Sequence, residues 1–102
     1  MATYILLGKL TDEGRKTVKQ RPMRIEEVNR EVEVFGAKVI AQYATMGPYD
    51  FVTVIQAPDN ETVARVSIEF GSRGTLELMS MPAFDTSLFV HQILDSESET
   101  DT

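Results

Sequence analysis

The sequence predicts an α+β fold in which two helices cover one face of a four-stranded antiparallel sheet. Short apolar segments and segments of helical period follow one another in the order β-α-β-β-α-β. A Gly-Pro-Tyr-Asp turn, residues 47–50, joins the two middle strands so closely that they are expected to pair as a hairpin. This order is the split βαβ, or ferredoxin-like, arrangement. At 102 residues the chain has the length of one domain, which we assign to residues 1–94.

The first half of the chain predicts a strand followed by two helical segments. Residues 3–9 are apolar and form the strand, and Thr11 is a candidate N-cap of a short helical turn. Pro22 suits the first turn of the main helix, where its missing N–H leaves no hydrogen bond unmade. Gly36 suits the left-handed residue that ends this helix. The apolar face of the helix recurs at spacings of three and four residues and consists of Ile25, Val28, Val32 and Phe35.

Residues 38–46 and 50–56 predict the second and third strands. On a regular pleat, alternate residues of a strand face the same side of the sheet. In the second strand we therefore expect Val39, Ala41 and Tyr43 to share one face.

The second half ends with a helix, a strand and a further apolar segment. Asp59 is the expected N-cap of the second main helix, and Gly71 the residue that ends it. Residues 75–81 predict the fourth strand, which Pro82 is expected to stop. Residues 84–94 are apolar enough to form a helix or a docked arm. Residues 95–102 are acidic and polar, and we expect them to form a disordered tail.

Both faces of the predicted sheet are apolar. In the third strand Ile55 faces one way and Val54 the other, and the first and fourth strands alternate in the same manner. Two helices cover one face only, and a bare apolar face of this size exceeds what a soluble monomer exposes. We therefore predict self-association, sheet against sheet, as a homodimer or higher oligomer. The alternative is that residues 84–94 fold over the face within one chain.

Composition and charge exclude several classes of function. The net charge of -6 argues against nucleic acid and membrane surfaces as partners. No apolar run approaches the ~20 residues that span a bilayer, and no basic segment precedes an apolar run at the start. We therefore predict a cytoplasmic protein. The chain has no cysteine and His91 is its only histidine, so no transition-metal site is predicted within one chain. No cofactor is predicted either.

Six residues are candidates for ligand contact. Tyr49 and Asp50 stand at the mouth of the third strand, where they either meet a ligand or close the turn. A cationic segment between Lys9 and Arg24 is unusual in an acidic protein, and its side chains either hold an anion or balance the acidic helix that follows. The candidates are Tyr49, Asp50, Arg24, Lys16, Tyr43 and Arg73.

Several motifs together resemble the GYD domain family, which is named for its Gly-x-Tyr-Asp signature. These motifs are Thr11-Asp12-Glu13-Gly14 with Lys16, Lys19, Pro22 and Arg24; Gly47-Pro48-Tyr49-Asp50-Phe51-Val52; Ala57-Pro58-Asp59; Gly71-Ser72-Arg73-Gly74; and Ala83-Phe84. The resemblance covers about residues 3–90. It implies a dimeric α/β barrel, in which two ferredoxin-like sheets join and a small ligand often lies near each subunit's sheet and helices. Where many relatives have asparagine after Gly-Ser-x-Gly, this chain has Thr75.

Proteins that resemble such barrels include monooxygenases, isomerases, haem proteins and effector-binding domains, so the fold selects no activity by itself. We consider three functions for this chain. The first is a homo-oligomeric module that binds a small molecule, with an anionic metabolite as the favoured ligand. The second is a small cofactor-free enzyme such as a monooxygenase or isomerase. The third is a purely structural assembly protein.

Overall fold

A computed structural model describes the backbone of residues 1–100 and the side chains of residues 1–96. The four strands form one antiparallel sheet in the order β2-β3-β1-β4. The predicted ferredoxin-like α+β fold is thereby confirmed. The elements are β1 (Ala2–Leu10), α1 (Asp12–Gln20), α2 (Arg24–Val34), β2 (Lys38–Ala44), β3 (Phe51–Ala57), α3 (Asn60–Gly71), β4 (Leu76–Ala83) and α4 (Thr86–Thr100).

Helix α1 is fixed at its start by Thr11. The Thr11 hydroxyl accepts a hydrogen bond from the Gly14 amide at 3.1 Å, which satisfies a free N–H of the first turn. The same hydroxyl donates to the Gly74 carbonyl, and the Thr11 amide donates to the Thr75 carbonyl. The predicted cap therefore also ties α1 to the turn that precedes β4.

Helix α2 begins two residues later than Pro22 suggested. Pro22 and Met23 form a turn closed by the hydrogen bond from the Arg24 amide to the Arg21 carbonyl, and α2 starts at Arg24. Proline suits this turn as well as it suits a first helical turn, because its φ is fixed and its N–H is absent. The end of the helix is as predicted, since Gly36 has a φ of 99°.

The core lies between the sheet and helices α2 and α3. Ile55 of β3 and Val66 of α3 are fully buried at its centre. Phe35 and Phe70 meet edge to face beside them, with ring centroids 6.2 Å apart. The other buried apolar residues are Tyr4, Leu6, Val32, Ala37, Ala57 and Val63.

A β-bulge changes the facing of β2. The pairing of β2 with β3 shifts register between Val39 and Ala41, which inserts an extra residue at Ile40. Val39 therefore packs on the core, while Ala41 lies opposite Val54 on the other face. The prediction that Val39 and Ala41 share a face is wrong for this reason.

Strand β4 runs through Pro82, so the prediction that this proline stops the strand is wrong. Pro82 lies opposite Tyr4 in the register, and β4 continues to Ala83. Proline is tolerated there because β4 is an edge strand, where a missing N–H need not break a ladder on both sides.

The sheet face opposite the helices remains open and apolar in one chain. Tyr43, Met79 and Met81 on this face are 62%, 50% and 38% exposed. Helix α4 does not cover it, because the apolar side chains of α4 are themselves about half exposed. The described chain is correspondingly elongated, at 63 × 29 × 19 Å. The alternative in which residues 84–94 close over the face is not what the structure shows.

The predicted domain end at residue 94 falls inside α4, whose backbone continues to Thr100. The disorder expected for residues 95–102 stays a prediction, and residues 101–102 lie outside the described residues. None of the helices in the described part of the chain has both the length and the apolar character needed to cross a bilayer.

Candidate functional site

A cavity of about 270 Å³ lies between helices α1 and α2 and the end of the sheet. Most of its wall is apolar and comes from every layer of the fold. A smaller space of about 50 Å³ adjoins it on the core side and shares Val28, Phe51 and Phe70 with it. The larger cavity is lined by Leu10, Gly14, Thr17, Val18, Arg24, Ile25, Val28, Asn29, Gln42, Phe51, Phe70, Arg73, Thr75 and Leu76.

Two amide side chains form the inner polar part of the wall. The Asn29 amide donates to the Gln42 carbonyl oxygen at 2.7 Å, and the Gln42 amide donates back at 3.2 Å. The Gln42 amide also donates to the hydroxyl of Thr53, which is buried in β3. All three polar groups are thus satisfied beneath the helices, as buried polar groups generally must be.

Sequence reasoning missed this amide pair. The available signal was that Asn29 lies four residues after Ile25 and three before Val32, on the apolar face of α2. Gln42 gave no such signal, because the bulge decides which face of the sheet it joins.

Two arginines form the outer polar part of the wall and share one carboxylate. Arg24 Nη1 donates to Glu31 Oε1 at 2.8 Å, and Arg73 Nη1 donates to Glu31 Oε2. The Arg73 guanidinium also lies 4.5 Å from the centre of the Phe70 ring, which holds it against the apolar wall. The three charged side chains are each about one-third exposed, at 28%, 32% and 34%.

The shared carboxylate has a perturbed pKa. The hydrogen bond from Arg73 is the largest cause that lowers the pKa of Glu31 below its ordinary value of 4.5, and the bond from Arg24 adds to it. Partial burial acts in the opposite direction without cancelling this effect. The same contact raises the pKa of Arg24 above its ordinary value. Glu31 is therefore ionised throughout the neutral range.

Further glutamates complete an ion-pair network around the cavity mouth. Glu27 accepts from Arg21 at 2.7 Å and from Arg24 at 3.2 Å, while Glu69 accepts from Arg73 at 3.3 Å. Three guanidinium groups thus meet three carboxylates. Much of the cationic segment noted in the sequence is balanced within the chain, so the mouth carries paired charges rather than a bare positive patch.

The other predicted contact residues lie outside this cavity. Asp50 ties the start of β3 to the end of β1: its carboxylate accepts from the Leu10 amide at 2.8 Å, and its own amide donates to the Gly8 carbonyl at 2.8 Å. Its backbone carbonyl closes the hairpin between β2 and β3 by accepting from the Thr45 amide at 2.8 Å. Lys16 is exposed on α1 and forms no ion pair with the described residues. Of the six predicted candidates, only Arg24 and Arg73 line the cavity.

Tyr43 and Tyr49 belong to a different surface. Tyr43 is exposed on the open face of the sheet, and the Tyr49 hydroxyl reaches the sulfur of Met79 on that face at 3.9 Å. His91 is exposed on α4. Within the described residues, no three side chains of histidine, cysteine, aspartate or glutamate gather where they would hold a metal ion.

A ferredoxin-like sheet that has one open face and a cavity under its helices is the architecture expected from the resemblance noted above. The GYD domain model matches residues 4–93, and the chain belongs to the GYD domain family.

A close relative is a Thermus thermophilus protein named glutamine synthetase and cystathionine beta-lyase binding protein. It is 50% identical over 84 residues, which cover 81% of this chain and 88% of the relative. Two crystal structures share the fold at lower identity. One is TTHA0845 from Thermus thermophilus, with a TM-score of 0.52, 21% identity, and coverage of 83% of this chain and 95% of that one. The other is the hypothetical protein PHS023 from Pyrococcus horikoshii, with a TM-score of 0.52, 15% identity, and coverage of 83% and 92%.

Proposed function

We propose that this protein is a self-associating, cytoplasmic binding module for a small organic molecule that has an apolar body and an anionic group. The observation that carries the proposal is the cavity between α1, α2 and the sheet, which is apolar over most of its wall and polar at two defined places. Pockets of this kind, with apolar walls and few convergent polar groups, are the usual form of small-molecule sites.

The polar groups of the wall suit the anionic end of such a ligand. A guanidinium group has five N–H donors, and the ion pairs of Arg24 within the described residues use only Nη1. The remaining donors of Arg24 are available to a carboxylate that enters the cavity. The apolar body of the ligand would then rest against Val28, Phe51 and Phe70.

The wall favours binding over catalysis by a cofactor-free monooxygenase or isomerase. Proton transfer needs a group that can accept and release a proton, whereas the charged side chains that line the cavity are two arginines, whose guanidinium groups have donors and no acceptor. Tyr43, Tyr49 and His91 lie elsewhere, and the Asp50 carboxylate accepts a hydrogen bond from the Leu10 amide at the end of β1.

Self-association is supported by the open face of the sheet and by α4. A contiguous apolar face on the sheet and a helix whose described apolar side chains are about half exposed are both unfavourable in water. Two copies that join their open faces would bury Met79, Met81 and Tyr43. This arrangement is the homodimer, or higher oligomer, that we propose.

The relative's name supports a second candidate function, which is the binding of metabolic enzymes. That protein is named for binding glutamine synthetase and cystathionine beta-lyase, and half of the aligned residues are identical. We propose that this chain, in its oligomeric form, binds enzymes of the same kind. Purified glutamine synthetase and cystathionine β-lyase should each shift this protein to a larger species in size-exclusion chromatography, and two unshifted profiles would remove this candidate.

A pair of valine substitutions tests the cavity directly. Val18→Phe fills space at the α1 wall, whereas Val34→Phe adds the same ring to a side chain that is 86% exposed on α2. Calorimetric titration with benzoate, a small carboxylate with an apolar ring, should show binding to the wild type and to Val34→Phe but not to Val18→Phe. Equal binding by all three proteins would place the benzoate outside this cavity.

A further inference from the structure

Glu31 occupies an unusual place at the cavity, because it contacts both of the arginines that line it without lining the cavity itself. Its two carboxylate oxygens are divided between them: Oε1 accepts from Arg24 and Oε2 from Arg73. The two arginines come from different elements, the start of α2 and the turn between α3 and β4. Of the carboxylates in this network, Glu27 pairs with Arg24 and Glu69 with Arg73, whereas Glu31 pairs with both guanidinium groups that line the cavity.

We infer that Glu31 determines the charge selectivity of the cavity, limiting it to neutral ligands and those with a single negative charge. This inference rests on the proposed small-molecule function and concerns the same cavity. Its basis is the charge balance at the mouth. Arg21, Arg24 and Arg73 face the carboxylates Glu27, Glu31 and Glu69.

A ligand with one carboxylate gains hydrogen bonds from the free donors of Arg24 and adds one uncompensated negative charge. A second carboxylate on the ligand would gain little electrostatic free energy, because the charges of this network are already balanced. It would also have to be desolvated beside an apolar wall, which is costly. The lowered pKa of Glu31 supports the inference, because the carboxylate then keeps its full charge at neutral pH.

The substitution Glu31→Gln removes the charge and keeps the shape of the side chain and one of its acceptor oxygens. The electrostatic gain on ligand binding scales with the charge of the ligand. Neutral benzamide should therefore bind Glu31→Gln and the wild type equally, and benzoate should bind the variant more tightly, by about five-fold. Isophthalate carries two negative charges, so the factor by which its affinity rises in Glu31→Gln should be the square of the factor for benzoate, about 25-fold.

Two matched variants separate this effect from a general change of charge. Glu33→Gln removes the same charge from the same helix at an exposed position that forms no ion pair with the described residues. It should leave all three affinities within about two-fold of the wild type, since exposed charges are screened by water and salt. Glu69→Gln removes a partner of Arg73 alone, and its gains should fall between those of the other two variants.

The test is calorimetric titration of the wild type and the three variants with benzamide, benzoate and isophthalate at constant ionic strength. The inference is supported if the affinity of Glu31→Gln rises with the negative charge of the ligand and the affinity of Glu33→Gln does not. Equal affinities of Glu31→Gln and Glu33→Gln for isophthalate would overturn the inference and leave the proposed function intact. A loss of benzoate binding in Glu31→Gln would also overturn the inference alone, because it would show that Glu31 serves to hold the arginines in place. If no probe binds any of the four proteins, the proposed function fails and the inference fails with it.

Discussion

Asn29 and Gln42 exchange two hydrogen bonds between helix α2 and strand β2, at 2.7 and 3.2 Å. This reciprocal pair joins the two elements beneath the cavity, beside the apolar core. Each amide satisfies the other, and the additional bond from Gln42 to Thr53 extends the contact into the core strand. The same two side chains therefore contribute both to the stability of the fold and to the shape of the cavity.

Replacing Gln42 by leucine should destabilise the protein by about 1–3 kcal/mol, because Asn29 and Thr53 then keep polar groups that have lost their partner. The double substitution Asn29→Leu with Gln42→Leu should cost less than the sum of the single substitutions, since it removes both amides. Urea unfolding of the four proteins measures this coupling. Gln20→Leu, at the exposed end of α1, is the control. Simple additivity would contradict the pairing.

Gly14 is fixed by a close approach of two backbones. A Cβ atom at this position would lie 1.9 Å from the Thr75 carbonyl oxygen, and backbone atoms cannot move aside as a flexible side chain does. Gly14→Ala should therefore destabilise the protein by about 3 kcal/mol or more, and displace α1 from the start of β4.

Gly71→Ala provides the matched control for this substitution. A Cβ atom at Gly71 meets nothing within 4 Å, and its φ is not positive. Its effect should lie between no change and a stabilisation of about 1 kcal/mol, since alanine is the better helix former. The two midpoints of urea unfolding should differ strongly, and similar midpoints would show that α1 does not approach Thr75 as described.

Much of the fold could be predicted from the sequence, because local signals set each element. Thr11, Gly36 and Asp59 act as expected at helix ends, and the short hairpin made β2 and β3 neighbours. The prediction that Pro82 stops the fourth strand was wrong, because the effect of a proline on a strand depends on the strand's place in the sheet.

The candidate site was less predictable, because tertiary pairing decides its function. Arg24 and Arg73 were both named as candidates, yet no local pattern joins them to a single carboxylate on Glu31. Gln42 was unpredictable for a similar reason. The bulge at Ile40 places its amide on the helix side of the sheet, whereas a regular pleat would place it on the opposite face. Asp50 is a further case, because its carboxylate accepts from the Leu10 amide at the end of β1, 40 residues away, and no turn pattern predicts that contact.

The ion pairs of Glu31 predict a specific pH dependence of stability. Because the folded-state pKa of Glu31 lies below its ordinary value of 4.5, the contribution of this carboxylate is fully present above that pH. It is lost as the pH falls through the folded-state pKa, where the carboxylate takes up a proton. Urea unfolding between pH 7 and pH 3 should give a shallower loss of stability for Glu31→Gln than for the wild type. Glu33→Gln should follow the wild type, and identical slopes for all three proteins would show that the arginines contribute little.

Substitution of Met81 tests the proposed association of open sheet faces. Met81→Lys places a charge on a side chain that is 38% exposed in the single chain, so the fold itself should tolerate it. In a dimer joined through this face the charge would be buried without a partner, which is costly, and the dissociation constant should rise by at least about ten-fold. Ile68→Lys makes the same change of charge on α3, where the side chain is 73% exposed on the other side of the sheet. Light scattering across a concentration series should show Met81→Lys dissociating at concentrations where the wild type and Ile68→Lys remain associated. A wild type that is monomeric throughout the series would exclude the proposed assembly.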